Sequence, residues 1–304
     1  MIGEKLLSVI IPISSIKSRE SRLIETLKQI NILDEKNRIE IIVVIDKKNV
    51  DEEFEIRQLL ETYLLKTVNI LVGEFGAPGL ARNAGLRKCS GIWTAFWDCD
   101  DIVDVKNFLS MVIKAQNGAY QIAIGSYERI SETDQSKSYN SFVGESVKSN
   151  LEQVALNPGI WRFAFKREII DNLEFPPWRM AEDQYFLMSL RITKKKILIY
   201  NRTVYKYFFG GLGHLTTEPS ALNELKHSAR MSLTLLESNI HEFTIFEGTI
   251  FVKQCLSGIF YSRGFNRYRC LFILLNSCLY PPMKLRLIIL QSIFLVIRKT
   301  RYCN

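Results

Sequence analysis

The first hundred residues alternate between almost continuous apolar runs and amphipathic stretches. LLSVIIPI at 6–13 and IEIIVVI at 39–45 are nearly free of polar positions, which is typical of strands buried on both faces. The stretch 19–30 places Leu23, Leu27 and Ile30 on one helical face. The predicted order is strand 6–13, helix 19–30, strand 39–45, helix 51–65, strand 68–72, helix 80–88 and strand 93–97. This order predicts a mainly parallel sheet with right-handed crossovers.

The pattern changes after Pro219, where apolar residues recur at helical spacing. Helices are predicted over 221–237, 245–259, 268–279 and 284–301. The polar, serine-rich stretch 127–148 predicts a surface loop. We therefore expect an α/β domain over 1–215, made of the halves 1–121 and 122–215, followed by a helical C-terminal region over 216–304.

Charge is distributed unevenly between these two parts. The net charge is +8, and residues 248–304 contain nine Lys and Arg but no Asp or Glu. The preceding 247 residues are close to neutral. A basic tail of this kind indicates an anionic surface as its partner, either phospholipid or nucleic acid.

The last predicted helix has an apolar centre between basic ends. Nine of the eleven residues at 287–297 are apolar, a stretch too short to cross a hydrocarbon layer of about 30 Å. One interpretation places this helix in the membrane interface, with its basic ends near anionic head groups. The other packs it on the preceding domain or in an oligomer contact.

Cysteine and histidine usage excludes some classes of protein. The six cysteines form no CxxC pair, and the three histidines are dispersed, so we expect neither a zinc protein nor a disulfide framework. In the absence of a signal-peptide pattern, we expect free thiols and a cytoplasmic location.

Acidic side chains follow two of the predicted strands. Asp46 follows the second strand, and Asp98, Asp100 and Asp101 follow the fourth. Parallel sheets bind ligands beyond the carboxyl ends of their strands. A cluster of carboxylates there is a suitable seat for a hard divalent cation carrying a phosphorylated ligand. The alternative is a solvated acidic loop.

A glycine-rich loop enters the third helix just before this acidic cluster. The sequence GAPGLARNAG at 76–85 offers tight turns and free N–H groups at a helix start. Arg82 in this stretch supplies a forked cation that suits a phosphate. If the loop did not face the carboxylates, Arg82 would be read as a surface ion-pair residue.

Four motifs stand in this order, SVIIPI at 8–13, EIIVVID at 40–46, GLARNAGL at 79–86 and WDCDD at 97–101, and a weaker match, AEDQYF at 181–186, follows them. On these motifs the sequence resembles the family-2 glycosyltransferases of the GT-A fold. The resemblance covers about 6–210. It implies a Rossmann-like nucleotide-sugar domain that transfers a hexosyl group from a nucleotide-diphosphate donor with Mn²⁺ or Mg²⁺. Carried over by position, Asp46 contacts the nucleotide base, Arg82 the diphosphate and Asp98 the ribose, while Asp100, with Asp101 beside it, binds the metal. The halves 1–121 and 122–215 then bind the donor and the acceptor.

The weaker motif supplies a catalytic candidate. In inverting members of the family, the residue that matches Asp183 takes the proton from the acceptor hydroxyl, and Glu182 is the next candidate. The alternative is that both acids merely favour the dipole at a helix start. His214, on the glycine segment 208–214, is either a member of the metal or diphosphate site or a solvent-exposed loop residue.

Two departures from the family pattern concern the nucleotide. Only one acid follows the second strand, and Ser14 and Ser15 stand where the family often has an aromatic residue. The resemblance favours a UDP-sugar donor and a glycan or lipid-linked acceptor, and no nucleic acid partner. It implies a role in bacterial surface polysaccharide synthesis, with the protein at the inner face of the membrane. The rival classes are a haloacid-dehalogenase-type phosphatase, whose Asp-x-Asp usually follows the first strand, and a non-catalytic nucleotide-sugar- or carbohydrate-binding protein.

Overall fold

The computed structural model describes residues 5–16, 19–33, 38–46, 50–63, 68–142, 147–211, 215, 218–238 and 241–301. The chain forms two compact units. The first consists of Met1–Glu145, Ile160–Phe175 and Lys195–Gly211, and the second of Ser146–Gly159, Pro176–Lys194 and Leu212–Asn304. The second unit therefore also takes in segments that precede residue 215.

The first unit is built on one sheet, to which all nine strands of the described chain belong. The strands are β1 Leu7–Ile13, β2 Ile39–Asp46, β3 Val68–Gly73, β4 Trp93–Phe96, β5 Ile102–Val103, β6 Ile122–Ser131, β7 Lys137–Asn140, β8 Phe163–Lys166 and β9 Ile197–Phe209. Their order is β3-β2-β1-β4-β8-β6-β9-β5, with β7 paired to β6.

The half of the sheet from β3 to β4 is parallel throughout, as predicted. Its crossovers are α1 Glu20–Asn31, α2 Val50–Tyr63 and α3 Pro78–Leu86, and α4 Val105–Asn117 follows β5. β8 runs antiparallel to both β4 and β6, and β6 pairs parallel to β9. The parallel half brings the carboxyl ends of β2 and β4 to one edge, on either side of β1.

Close packing of α3 on β1 explains the last glycine of the GLARNAGL motif. A Cβ atom at Gly85 would lie 2.5 Å from Cγ2 of Ile10, so a larger residue would push α3 away from the sheet. β1 and β2 are almost completely buried, which agrees with their uninterrupted apolar sequences.

The loop predicted over 127–148 is wrong for 127–131 and 137–140, which form strands, whereas 132–136 form the turn that joins them. β6 continues to Ser131 and pairs antiparallel with β7. The polar residues that suggested a loop lie partly in this turn and partly in β7, which lies at the margin of the sheet and exposes Lys137, Ser138 and Tyr139. An exposed edge strand tolerates polar side chains on both faces, so its sequence resembles that of a loop.

The second unit is helical. Its helices are α5 Val147–Leu156, α6 Glu182–Leu190, α7 Pro219–Leu222, α8 Leu225–Ser238, α9 Ile245–Tyr261, α10 Phe265–Leu279 and α11 Met283–Arg301. α9 is the central helix, against which α5, α8, α10 and α11 pack. Thr244 and Glu247 form a capping box at its start. No helix within the described residues is long and apolar enough to cross a membrane.

Candidate functional site

Three carboxylates lie on the turn that follows β4, at residues 97–101. The side chains of Asp98 and Asp100 keep 27% and 24% of their surface exposed, whereas Asp101 is buried. β9 holds this turn in place. The Asp98 N–H donates to Tyr205 Oη (3.0 Å), and the Phe208 N–H donates to Asp101 Oδ1 (2.8 Å). The acidic cluster is thus built into the sheet and is not a loose loop.

The glycine-rich loop faces these carboxylates. Arg82 lies on α3, is 5% exposed, and donates from Nη2 to Asp98 Oδ1 at 2.9 Å. Asn83 fixes the same turn of α3 by exchanging two 2.8 Å hydrogen bonds with the backbone of Phe175. Arg82 is therefore a buried residue that faces the acidic turn and not a surface ion-pair residue.

Asp46 lies at the carboxyl end of β2 and holds the entrance of the glycine-rich loop. Its two carboxylate oxygens accept the backbone N–H groups of Phe75 and Gly76, each at 2.8 Å. Gly76 has a φ of +71°, a conformation that favours glycine. Asp46, the loop, Arg82 and Asp98 are therefore joined by a continuous series of contacts along one edge of the sheet.

Two arginines that the sequence did not single out contact the acidic turn. Arg19 Nη1 donates to Asp100 Oδ2 at 3.0 Å, and Arg22 Nη1 donates to the backbone oxygen of Asp100 at 2.8 Å. The two arginines stand three residues apart at the start of α1, the helix that follows β1. This position was the available signal, because the loop after β1 opens at the same edge as that after β4.

Burial and crowding disfavour the charged form of the most buried acid at this edge. The pKa of Asp101 is raised well above its ordinary value by burial and then by the charges of Asp100 and Asp98. The pKa of the buried Tyr205 hydroxyl is raised by burial and by Asp101. Among the described residues, no group of three or more His, Cys, Asp or Glu side chains could hold a metal ion.

Asp183 belongs to the second unit, in the first turn of α6. Its Oδ1 accepts the N–H of Gln184 at 2.8 Å, and the neighbouring Glu182 is buried. The preceding residue, Ala181, has a φ of +63°, a left-handed conformation that costs a non-glycine residue about 1–3 kcal/mol. His214 lies outside the described residues.

Residues 8–195 match the model of glycosyl transferase family 2. The chain belongs to this family. The resemblance of the five sequence motifs is therefore confirmed. The glycosyltransferase GlyA of Streptococcus pneumoniae serotype 4 is 23% identical over 237 residues, which are 72% of this chain and 33% of GlyA. The chain thus spans about a third of the length of that relative.

Solved glycosyltransferase structures with a similar fold confirm the predicted GT-A architecture. TarS 1–349 of S. aureus in complex with UDP-GlcNAc has a TM-score of 0.67 and 16% identity over 92% of this chain and 82% of that chain. The mannosyltransferase PcManGT of Pyrobaculum calidifontis, in complex with GDP-Man and Mn²⁺, has a TM-score of 0.55 and 14% identity over 97% and 81%. The fold is GT-A with a helical C-terminal region, as predicted.

Proposed function

We propose that this protein transfers a hexosyl group from a nucleotide-diphosphate sugar, a UDP-sugar in the first instance, to a glycan or lipid-linked acceptor. The observation that carries the proposal is the Arg82–Asp98 ion pair. This ion pair links the glycine-rich segment to the acidic turn at the carboxyl ends of the parallel strands, where parallel sheets bind nucleotides. A guanidinium beside carboxylates can bind a diphosphate, while the acids bind ribose hydroxyls or a cation.

Each donor contact has a candidate residue in the first unit. Asp98 is proposed for the ribose hydroxyls and Arg82 for the diphosphate. Asp46 is proposed to contact the nucleotide base. Its hydrogen bonds from the Phe75 and Gly76 N–H groups support a part in shaping the entrance of the glycine-rich loop. Arg19, which contacts Asp100, is a further cation able to approach the diphosphate.

Asp100 and Asp101 are the proposed carboxylates for Mn²⁺ or Mg²⁺. Asp100 has the exposure required of a ligand, and Asp101 lies buried beside it. One or two carboxylates together with substrate phosphates are the usual magnesium set. The cation would supply charge neutralisation on the departing nucleotide diphosphate. Arg82 would add a fixed positive charge to the same leaving group.

Asp183 is the proposed general base of an inverting reaction. It would accept the proton of the acceptor hydroxyl as that oxygen attacks the anomeric carbon. The left-handed backbone of Ala181 supports this role, because strain of this kind clusters at functional sites. Glu182 is buried and is the reserve candidate.

The biological setting proposed is bacterial surface polysaccharide synthesis at the inner face of the cell membrane. The relatives GlyA and TarS come from S. pneumoniae and S. aureus, which supports a bacterial role. The cysteines Cys89, Cys99, Cys255, Cys270 and Cys278 are free thiols, which fits the predicted cytoplasmic location.

Two variants test the proposed assignments in one assay. Donor binding is measured by thermal shift with UDP-sugars with and without Mn²⁺, and turnover by nucleotide release. Asp100→Ala should lose metal-dependent donor binding. Asp183→Asn keeps the side-chain shape but cannot accept a proton, so it should bind donor normally while turnover falls by roughly 10²-fold or more.

Asp171→Ala is the matched control, because Asp171 is an exposed carboxylate that pairs with Arg167 at the surface. It should leave both measurements unchanged. Normal metal-dependent binding by Asp100→Ala would refute the metal assignment, and full turnover by Asp183→Asn would move the base elsewhere. Donor binding without turnover in the wild-type chain, across acceptors, would favour the non-catalytic binding protein.

A further inference from the structure

α10 presents a stripe of large apolar side chains away from its packed side. Phe265, Tyr268, Phe272, Leu275 and Leu279 follow one another at spacings of three and four residues, and each is more than half exposed. Of the fifteen residues of α10, all of them described, only Cys270 and Ser277 are buried. An amphipathic helix ordinarily buries its apolar stripe. In α10 the arrangement is reversed.

α11 repeats this arrangement. Met283, Leu287, Leu290, Phe294 and Ile297 follow the same spacing and are 66%, 52%, 50%, 68% and 46% exposed. A second set of apolar residues, including Leu285 and Ile289, is fully buried on the opposite side. α11 therefore packs on the second unit through one face and leaves another apolar face exposed. The two interpretations of this helix, packing and surface binding, are compatible.

Tight packing on α9 fixes which faces of the two helices point outward. A Cβ atom at Gly248 would lie 2.6 Å from Ser292 Oγ of α11, and one at Gly258 would lie 2.3 Å from Cys270 Sγ of α10. Neither helix can rotate about its axis without breaking these close contacts. The exposed stripes of α10 and α11, together called the outer face, are thus a fixed feature of the second unit.

Charge decides what covers the outer face. Residues 248–304 contain nine basic residues and no acidic one, and Arg263, Arg267, Arg269, Lys284 and Arg298 are exposed. A second copy joined through the same face would oppose these cations with like charges and no acid to compensate them. An anionic partner is needed. Aliphatic side chains such as Leu275, Leu287 and Leu290 suit lipid chains rather than nucleic acid bases.

We propose that the outer face lies in the interface of an anionic lipid bilayer. Its apolar side chains would enter the boundary between head groups and acyl chains, to a depth of about 5–10 Å. The surrounding Lys and Arg side chains would bind the anionic head groups. This inference does not depend on the transfer reaction, since none of the residues proposed for donor, metal or base lies in the outer face.

The experiment is sedimentation of the full chain with vesicles. Wild type should bind phosphatidylglycerol-containing vesicles more tightly than pure phosphatidylcholine vesicles, and high salt should weaken the binding. The double variant Phe272→Gln/Phe294→Gln removes one large apolar group from each stripe, so vesicle affinity should fall by roughly tenfold or more. Both positions are exposed, so the melting temperature should stay that of wild type.

The matched control is Ile32→Gln/Phe54→Gln, which replaces two equally exposed apolar residues of the first unit, 81% and 69% exposed. It should bind vesicles like wild type. Wild-type affinity in the Phe272/Phe294 variant, or equal binding to neutral vesicles, would overturn the proposal. The proposal would also be overturned if wild type did not bind vesicles but formed a dimer that the Phe272/Phe294 variant does not form in analytical ultracentrifugation. Salt-sensitive binding of nucleic acid in place of vesicles would overturn it too.

Discussion

α4 and α10 are helices of similar length that use the same apolar spacing in opposite ways. α4, in the first unit, buries Val105, Phe108, Leu109, Met111, Val112 and Ala115. α10, in the second unit, exposes its apolar stripe and buries only Cys270 and Ser277. The periodicity is the same in kind, but one helix completes a core and the other forms a surface.

Charge follows the same division. In the first unit the arginines Arg19, Arg22 and Arg82 each contact the acidic turn through a short hydrogen bond. The segment from 248 onward has no acid to pair with its bases. Hydrophobic periodicity therefore indicates that a helix has a preferred face, and charge balance indicates what kind of partner that face meets.

The largest expected effect is on stability and compares Phe108 with Phe272. Phe108→Ala leaves a cavity in the core beneath α4 and should lower the free energy of unfolding by about 3–5 kcal/mol. Phe272→Ala changes an exposed position, so the loss should stay within about 0.5 kcal/mol. Urea unfolding of the two variants beside wild type measures both values. Equal losses would mean that α10 is covered in the isolated protein.

The sequence predicted the parallel half of the sheet and the C-terminal helices because their apolar patterns are long and regular. It also predicted that Arg82 faces the acidic cluster, since the order of loop and strand fixes that edge. It missed Arg19 and Arg22, because only their position after the first strand, and no motif, points to the acidic turn. The outward direction of the α10 stripe depends on which side packs on α9. That choice is made by tertiary contacts at Gly258 and Cys270.

A smaller loss of stability is expected from replacing two glycines that lie in close contact with a neighbouring strand or helix. Gly85→Ala would place a Cβ atom 2.5 Å from Ile10 Cγ2 in the first unit, and Gly258→Ala one at 2.3 Å from Cys270 Sγ in the second. Each substitution should destabilise the chain by about 1–3 kcal/mol, although alanine favours a helix by about 1 kcal/mol. Thermal or urea unfolding measures the change.

Cys270→Ala supplies the control for the second contact. Removing the sulfur leaves Cβ of residue 270 at 3.0 Å from the new methyl group, so Gly258→Ala/Cys270→Ala should lose less than the sum of the two single variants. Strict additivity, or a stabilising Gly258→Ala, would mean that α10 is free to shift on α9. The outer face would then no longer be fixed.

The smallest effect concerns a buried acid in the second unit that parallels Asp101 in the first. Burial raises the pKa of Glu247 above its ordinary value of 4.5, against hydrogen bonds from Thr244 that lower it. The folded chain therefore holds this proton more tightly than the unfolded chain does. Its stabilising contribution is complete below the ordinary pKa and is lost as the pH rises through the raised value in the folded state.

Glu247→Gln separates that titration from the capping box. The glutamine oxygen can still accept the Thr244 N–H that Glu247 Oε2 accepts at 2.9 Å, and the side chain is neutral at every pH. The free energy of unfolding of the variant, relative to wild type, should thus be constant in acid and should increase as the pH rises through the pKa of the folded state. Urea unfolding at a series of pH values follows this difference. A difference that is independent of pH would show that Glu247 ionises in the folded chain as it does in the unfolded one, and a decrease would mean that the charged carboxylate stabilises α9.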